Sequence, residues 1–483
     1  MVVENPEEIM RKTKLVITVG PALLNGGPLR EVMEITDAIR INASHSTPQD
    51  RTAVLELVRR TAEEVGRRIP VFLDLQGPKW RIGILDAPLS LETGSLGAFF
   101  EEGKVPPPGF PWAAPLPHPE LLEGARPGQK WLLDDGNLTV EIQECRGQYF
   151  TAKVLVGGLL KSRKGIHPLG IDVAIEPLTS KDIEDVKWGV EQGVDLFAQS
   201  FVRSGADLQA LAATIRAFGG TQSIIAKIEH PRALANLDEI LNAAWGVMVA
   251  RGDLGVELGV EKVPHVQKQI IQRARLAMKP IITATQMLES MIESPQPTRA
   301  ESSDIANAIW DGTDAVMLSA ESAAGKYPLA AVQWLARIAE DADEHSEPHS
   351  GGRRDDRLPE GMLLQTDAAV AFAACRAAED LKAKAVLVFT EKGGSVRLVS
   401  RLAGSVPVFG ATTNELNARL MGLLRGVQSL IVPRTQHLSE MVASVEPLLK
   451  ERCGIRPGDR VVMTVGHPLW TAGSTNTMRV MTF

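Results

Sequence analysis

The sequence predicts an α/β protein: a (β/α)8 barrel of the TIM type, with a small β-barrel lid inserted into it and a separate C-terminal α/β domain. Three observations predict it. Eight short apolar runs follow one another over the first two thirds of the chain, most of them trailed by a helical stretch. One segment of different character interrupts the series. Beyond a charged, Gly-containing linker the β/α alternation resumes.

The eight runs are KLVITVG (14–20), DAIRINAS (37–44), IPVFLDLQG (69–77), VDLFAQSF (194–201), SIIAKIE (223–229), GVMVARGD (246–253), KPIITATQ (279–286) and DAVMLSAE (314–321). Near-continuous apolar runs of this length are the pattern of strands buried on both faces of a parallel sheet. TPQDRTAVLELVRRTAEEVGRR and SGADLQALAATIRAFGG are examples of the helical stretches between them. Eight such units point to a closed barrel. The interruption covers 86–171: KVPPPGFPWAAPLPHPELLEGARPGQ is rich in Pro and Gly, and KWLLDDGNLTVEIQE and QYFTAKVLVGG alternate like antiparallel strands. Insertion at a βα loop sets this piece over the catalytic face, as a lid. GGRRDDRLPEG (351–361) reads as a linker, and AKAVLVFT, VPVFGATT, VQSLIVP, DRVVMTVG and TNTMRVM as strands of a further α/β unit. The expected division is a 1–12 N-terminal segment, a 13–85 and 172–345 barrel, an 86–171 lid, a 346–361 linker and a 362–483 C-terminal domain.

A chain of 483 residues is too long for one core. Its 44% apolar and 23% charged residues are those of an ordinary soluble globular protein. A net charge of −7 argues against a nucleic-acid partner and against an anionic membrane surface. An anionic substrate therefore requires locally gathered positive charge. Cys145, Cys375 and Cys453 lie far apart with no CxxC pair, which fits a reducing cytoplasm better than a disulfide scaffold or a zinc site. The first residues carry no apolar signal region, and no run of about 18 apolar residues is present to cross a membrane.

In a parallel barrel the chemistry stands at the C-terminal strand ends. The second run ends in Arg40, Asn42, Ser44 and His45; the third in Asp74, leading to Lys79 and Arg81; the fifth in Lys227 and Glu229; the sixth in Arg251, Gly252 and Asp253; the seventh in Thr285 and Gln286; the eighth in Ser319 and Glu321. Glu229 and Asp253, on adjacent strands, suit a hard divalent cation, Mg²⁺ or Mn²⁺, which takes one or two carboxylates plus substrate oxygens and water. Arg40 and Lys227 suit a phosphoryl group, one as a planar fork and one as a point charge. ARGDLG turns into a helix whose free N–H groups hold an anion, with the Thr285 hydroxyl beside them. Together they describe a small polyanionic substrate undergoing phosphoryl transfer. Singly, each has a plainer reading: helix caps for the carboxylates and serines, an ion-pair partner for Lys227, a hairpin turn for Asp134-Asp135-Gly136. Their joint occurrence on one face favours the chemistry.

At this point the sequence resembles the pyruvate kinase family over about residues 12–483. IIAKIEH (224–230), MVARGDLGVE (248–257), TATQMLESMIESPQPTRAESSDIANAIWDGTDAVMLSAES (283–322) and GKYPLAAV (325–332) carry the resemblance, with RINASH (40–45) and LDDGNLTVEI (133–142) in order. It implies a barrel with a lid and a C-terminal domain, and the conversion of phosphoenolpyruvate and ADP to pyruvate and ATP. It implies Glu229 and Asp253 on Mg²⁺, Lys227 on the transferring phosphoryl and the enolate, and Arg40 on the phosphoryl. The Arg251-Gly252-Asp253 turn and Thr285 would take the substrate carboxylate. Asn42, His45 and Lys164 would lie near ADP, Asp134 or Asp135 near the nucleotide's metal, and Ser319 and Glu321 in the proton network. It further implies a homotetramer, with Arg299 serving a neighbouring subunit. Ala43 departs from the family's usual Phe, a change expected to loosen nucleotide packing. FTEKGGS (389–395) resembles the family's effector-phosphate loop: Thr390, Lys392, Gly393, Gly394 and Ser395 would hold a sugar phosphate or nucleotide, against the charge of Glu391.

Many members have Thr-Lys-Gly-Pro-Glu where this chain has Leu75-Gln76-Gly77-Pro78-Lys79, and hold K⁺ beside the phosphate with Asn, Ser, Asp and Thr. Here Asn42, Ser44 and Asp74 remain, Leu75 offers only a carbonyl, and the Glu is Lys79. Lys79 is expected beside Asp74 as a built-in cation that makes K⁺ unnecessary. Competing readings are a related barrel enzyme that acts on phosphoenolpyruvate or pyruvate without ADP, and a non-catalytic protein that senses a sugar phosphate. The lid with Asp134-Asp135 argues against the first, and intact Lys227, Glu229, Asp253 and Thr285 against the second.

Overall fold

A computed structural model describes residues 11–169, 176–346 and 365–483, apart from single positions 25, 45, 135 and 472. The eight apolar runs form a closed parallel barrel: Lys14–Thr18, Ala38–Asn42, Val71–Asp74, Leu196–Gln199, Ser223–Ile228, Gly246–Ala250, Ile281–Ala284 and Ala315–Leu318. Each strand pairs with its neighbours in sequence, and the eighth closes on the first with Lys14 opposite Ala315. Six of the strands are buried at every residue. In the other two the breaks include Arg40, Asn42 and Lys227, three residues singled out for chemistry. Most runs overreach at their polar C-terminal ends, because there the chain leaves the ladder. In the sixth unit Arg251 already opens the helix Arg251–Leu258.

The lid stands between the third and fourth barrel strands. Its six-stranded sheet runs in the order Ile166–Pro168, Lys130–Leu133, Leu138–Cys145, Tyr149–Val156, Leu96–Glu101, Ala113–Leu116, and Gly158–Leu160 pairs separately with Leu89–Leu91. The sheet is open, where the sequence led us to expect a small closed barrel. The Pro-rich stretch contributes the strand Ala113–Leu116 and the helix Pro119–Gly124, neither visible as a pattern in the sequence. Trp112 anchors them. Its ring meets Phe99 edge-on at 5.4 Å, and it lies where a Cβ on Gly97 would be only 2.0 Å away, so that position needs glycine. Trp131 and Phe150 complete this core at 4.8 Å.

The C-terminal sheet has the order Val427–Ile431, Val408–Thr412, Ala385–Phe389, Arg460–Gly466, Thr475–Thr482, the last strand antiparallel. This domain abuts the N-terminal ends of the barrel strands, where Arg401 pairs with Asp314 at 2.5 Å and Arg419 with Asp195 at 2.9 Å. The linker 351–361 lies outside the described residues.

Candidate active site

Asp74 ends the third strand, 2% exposed, between two cations. Its Oδ2 accepts from Arg40 Nε at 2.7 Å, and its Oδ1 faces Lys227 Nζ at 3.2 Å. Lys227 also meets Glu229 Oε1 at 3.0 Å and donates to Ser200 Oγ at 2.6 Å. Burial works to discharge the Lys227 ammonium, but Asp74 and Glu229 outweigh it and push its pKa above the usual lysine value. Burial likewise works to raise Asp74; Lys227 and Arg40 prevail and hold it below the carboxylate range. Glu229 goes the other way. Burial raises its carboxyl, Asp253 adds to the rise, and Lys227 opposes it. Its Oε2 accepts the N–H of Phe201 at 2.7 Å, a residue held at φ 53°. Asp253 is also pressed upward by burial, yet Lys79 and Lys227 bring it below its ordinary value.

These two carboxylates are the ones to test for a cation. Glu229 Oε1 is buried and meets Lys227 without a well-directed hydrogen bond, so it keeps acceptor capacity. Among the described residues no group of three or more His, Cys, Asp or Glu forms a ready-made cage. Two carboxylates completed by substrate oxygens and water are what Mg²⁺ or Mn²⁺ takes, so the residues present fit such an ion.

Two expectations need correction. Lys79 does not sit on Asp74, whose oxygens face Arg40 and Lys227; its Nζ lies 3.1 Å from Asp253 Oδ1. The loop turns it there because Gly77, at φ +69°, is tied by its N–H to Asp182 Oδ1 at 3.1 Å. The guanidinium of Arg251 is not offered to a ligand. It donates to the carbonyl of Thr285 at 2.7 Å and pairs with Asp304 at 2.6 Å, fixing the positive-φ turn at Thr285 and Gln286. The N–H of Gly252 donates to Thr285 Oγ1 at 2.8 Å, and that hydroxyl in turn donates to the carbonyl of Ala284 at 2.6 Å, so the two are tied to each other and to the backbone.

The remaining assignments fall as follows. Asn42 Oδ1 accepts the N–H of Ser44 at 3.0 Å, and the carbonyl of Leu75 accepts from Ser200 Oγ at 2.7 Å. On the lid Lys164 pairs with Asp134 at 2.5 Å. His45 and Asp135 lie outside the described residues. Glu321 is buried and accepts from the backbone N–H of Ser319 at 2.7 Å and of Leu288 at 3.1 Å. It therefore braces the ends of two strands, whereas Ser319 Oγ is buried with no hydrogen-bond partner among the described residues. In the C-terminal domain an open cleft of about 690 Å³ is lined by Thr390, Lys392, Gly394 and Ser395. Thr390 Oγ1 already accepts the Gly393 N–H at 2.9 Å, and Ser395 Oγ lies 2.5 Å from Thr475 Oγ1.

A family model described as "Pyruvate kinase, barrel domain" matches residues 10–332, and one described as "Pyruvate kinase, alpha/beta domain" matches 368–481. The chain belongs to the pyruvate kinase family. It is 40% identical over 477 residues to a pyruvate kinase of Agrobacterium vitis, covering 97% of this chain and 98% of that one. It is 38% identical over 477 residues to a pyruvate kinase of Mycobacterium tuberculosis, with the same two coverages. Among solved structures a pyruvate kinase from Cryptosporidium parvum superposes with a TM-score of 0.90 at 30% identity, covering 98% of this chain and 96% of that one. The chain is thus a phosphotransferase with the barrel and C-terminal units of its family.

Sequence reasoning passed over Thr18, Ser200 and Phe201. Thr18 Oγ1 accepts from Arg40 Nη1 at 3.1 Å, and Ser200 and Phe201 hold Lys227 and Glu229. The polar ends of the first and fourth apolar runs were the available signal, the same one that found the other six.

Proposed function

We propose that the enzyme transfers the phosphoryl group of phosphoenolpyruvate to ADP, giving pyruvate and ATP, and that it requires Mg²⁺ but not K⁺. The observation that carries this reading is one face of the barrel on which Arg40, Lys227 and Lys79 stand against Asp74, Glu229 and Asp253 at 2.7 to 3.2 Å. Arg40, braced by Asp74, orients the phosphoryl group. Lys227, kept charged by its two carboxylates, offsets negative charge on the transferring phosphoryl and on the enolate oxygen. Thr285 and the Gly252 turn seat the substrate carboxylate, with Arg251 fixing that turn. Held by Glu229 and Asp253, Mg²⁺ would supply Lewis-acid neutralisation of substrate oxygens. Ser319 belongs to the proton path to the enolate carbon, and Glu321 positions it. Asn42, His45 and Lys164 serve ADP, with the 86–171 lid and Asp134 or Asp135 closing over it.

K⁺ is dispensable because its customary donors are committed. Asn42 caps its own turn, Asp74 carries Arg40 and Lys227, and Leu75 accepts from Ser200. Lys79 adds an ammonium to the same face, on Asp253, and supplies positive charge there without a monovalent ion. ATP formation from phosphoenolpyruvate, ADP and MgCl₂ tests the activity, and no ATP above background from folded protein would sink it. Repeating the assay with KCl against tetramethylammonium chloride at equal ionic strength tests the second half. A stimulation of about tenfold or more overturns K⁺ independence; Lys79→Glu is expected to create a K⁺ requirement or to abolish turnover.

The 390–395 loop is read as the seat of an effector's phosphate, from a sugar phosphate or a nucleotide. Its support is the open cleft, the left-handed Gly393 at φ +80° and the helix Gly394–Leu402 that begins there. The enzyme is read as a cytoplasmic homotetramer, with Arg299 reaching a neighbouring subunit's site. No helix among the described residues is long and apolar enough to cross a membrane.

A further inference from the structure

We propose that Lys181 is a positioning residue for the nucleotide. Its ammonium, fixed by a buried carboxylate, holds the carbonyl of Ala43 and thereby the turn that carries Asn42 and Ser44. The proposal rests on the reading of that turn and its loop as the nucleotide's.

Lys181 lies in the first turn of the helix Ser180–Glu191, a few residues after the lid rejoins the barrel. Its Nζ donates to Ala43 O at 2.8 Å and meets Asp185 Oδ2 at 2.5 Å. A surface lysine ordinarily wanders on its four-carbon stem and contributes little. Here the partner is fixed. Asp185 is 3% exposed, and its other oxygen accepts from Arg51 Nη2 at 2.6 Å. Arg51 is 1% exposed, lies over the Trp188 ring at 4.8 Å, and Trp188 Nε1 donates to Thr52 Oγ1 at 3.0 Å. Lys181 is therefore the outer end of a buried, stacked ion-pair chain between two helices, and that chain aims its ammonium at the loop.

The loop needs such a hold. Ala43 has only a methyl group to bury, so side-chain bulk does not wedge it in place. Its N–H is tied to the carbonyl of Asp74 at 3.0 Å, and Asn42 closes the turn through the Ser44 N–H and its own carbonyl with Ser46 Oγ. The opposite edge, the Ala43 carbonyl, is held by Lys181 through a charge-assisted hydrogen bond. The next residue makes the division of labour visible. Asp182 Oδ1 accepts the N–H of Gly77, in the loop that brings Lys79 to Asp253. Consecutive residues of one helical turn thus hold two different loops: Lys181 the nucleotide side, Asp182 the phosphoryl side.

Steady-state kinetics of Lys181→Met, Lys181→Arg and His45→Ala test this. Loss of an anchored charge-assisted hydrogen bond at a positioning site is expected to raise the KM for ADP about tenfold in Lys181→Met, with the KM for phosphoenolpyruvate changed by less than about twofold. Lys181→Arg, which keeps a charged donor, restores most of the ADP affinity. His45→Ala, which probes the loop itself, raises the KM for ADP alone. Equal rises in both KM values in Lys181→Met, or no rescue by arginine, would mean a merely structural role and overturn the proposal. An unchanged Lys181→Met beside an impaired His45→Ala overturns the clamp and leaves the loop reading standing. A normal KM for ADP in His45→Ala overturns the loop reading first, and the proposal with it. If Lys181→Met does not fold, Lys181→Gln, measured against the same criteria, takes its place.

Discussion

The two ends of the barrel use the same residue types in opposite ways. At the N-terminal ends Asp37, Asp195 and Asp314 each immediately precede a strand and accept the backbone N–H of a neighbouring strand: Leu15 at 2.9 Å, Val71 at 2.7 Å and Ile281 at 2.8 Å. Each is then saturated by arginines. Asp37 takes Arg11 and Arg67, Asp195 takes Arg59 and Arg419, and Asp314 takes both nitrogens of the Arg401 fork and the N–H of Arg425. At the C-terminal ends Asp74 Oδ1, Glu229 Oε1 and Ser319 Oγ are buried yet lack a directed hydrogen bond. A buried polar group without a directed partner costs stability; these three gather at one end of the barrel, while others such as Trp131 Nε1, Asp311 Oδ2 and Thr464 Oγ1 lie scattered elsewhere. Saturation of the three aspartates fits the floor as scaffold, and the three incompletely paired groups gather at the end where a parallel barrel carries its chemistry.

The strongest way to break this contrast is Lys227→Met. If the top is organised for the reaction, turnover falls about 10³-fold. The protein still folds, with a lowered melting temperature, since Asp74 keeps its ion pair with Arg40 at 2.7 Å while Glu229 loses its cation. Near-normal kcat, measured by coupled ATP formation beside a thermal melt, removes Lys227 from the chemistry.

Asp314→Ala probes the floor. It leaves the 9%-exposed Arg401 facing a lost partner and frees the Ile281 and Arg425 N–H groups. Breaking a buried pair from one side is expected to cost about 3 kcal/mol or more, visible as a lower denaturant midpoint. Well below the transition kcat stays within about twofold of wild type if the floor is scaffold only. A large loss of kcat without loss of stability contradicts the division between the two ends.

Legibility from sequence followed the same division. Strands buried on both faces announce themselves as apolar runs, so the barrel and its order were readable. Lys227 and Glu229 were readable because charges alternate inside the otherwise apolar SIIAKIE and fall with polar residues at five other strand ends. Direction was not. Arg251 at a strand end says nothing of whether its guanidinium faces the cleft or, as here, the Thr285 carbonyl. Lys79 was expected at Asp74 and lies on Asp253, because the turn at Gly77 and its tie to Asp182 decide where the loop goes. Lys181 was invisible for a related reason. Its target is a backbone carbonyl 138 residues away, and a carbonyl has no sequence signature. In the lid, Trp112 over Gly97 organises a segment whose composition alone reads as loop.

The smallest expected effect concerns acid. Burial works to raise the Asp37 carboxyl, but Arg11, Lys14 and Arg67 outweigh it and bring its pKa down from 3.8 to about 2. A carboxylate whose folded pKa is depressed contributes stability that is complete above its unfolded pKa. That stability is lost as pH falls through the folded one. Asp37 therefore contributes about 2 kcal/mol at neutral pH, a share that disappears between about pH 4 and pH 2. Asp37→Asn keeps an acceptor for the Leu15 N–H but has no charge to titrate. Its melting temperature is expected to start lower at pH 7 and to converge on that of wild type toward pH 2. Parallel pH profiles would assign the acid sensitivity of the floor to other groups and remove Asp37 from the contrast. The top behaves differently, because burial raises Glu229 while Lys79 and Lys227 lower Asp253. Acid there discharges the Glu229 carboxyl before it discharges Asp37, so turnover is expected to fail at higher pH than the fold.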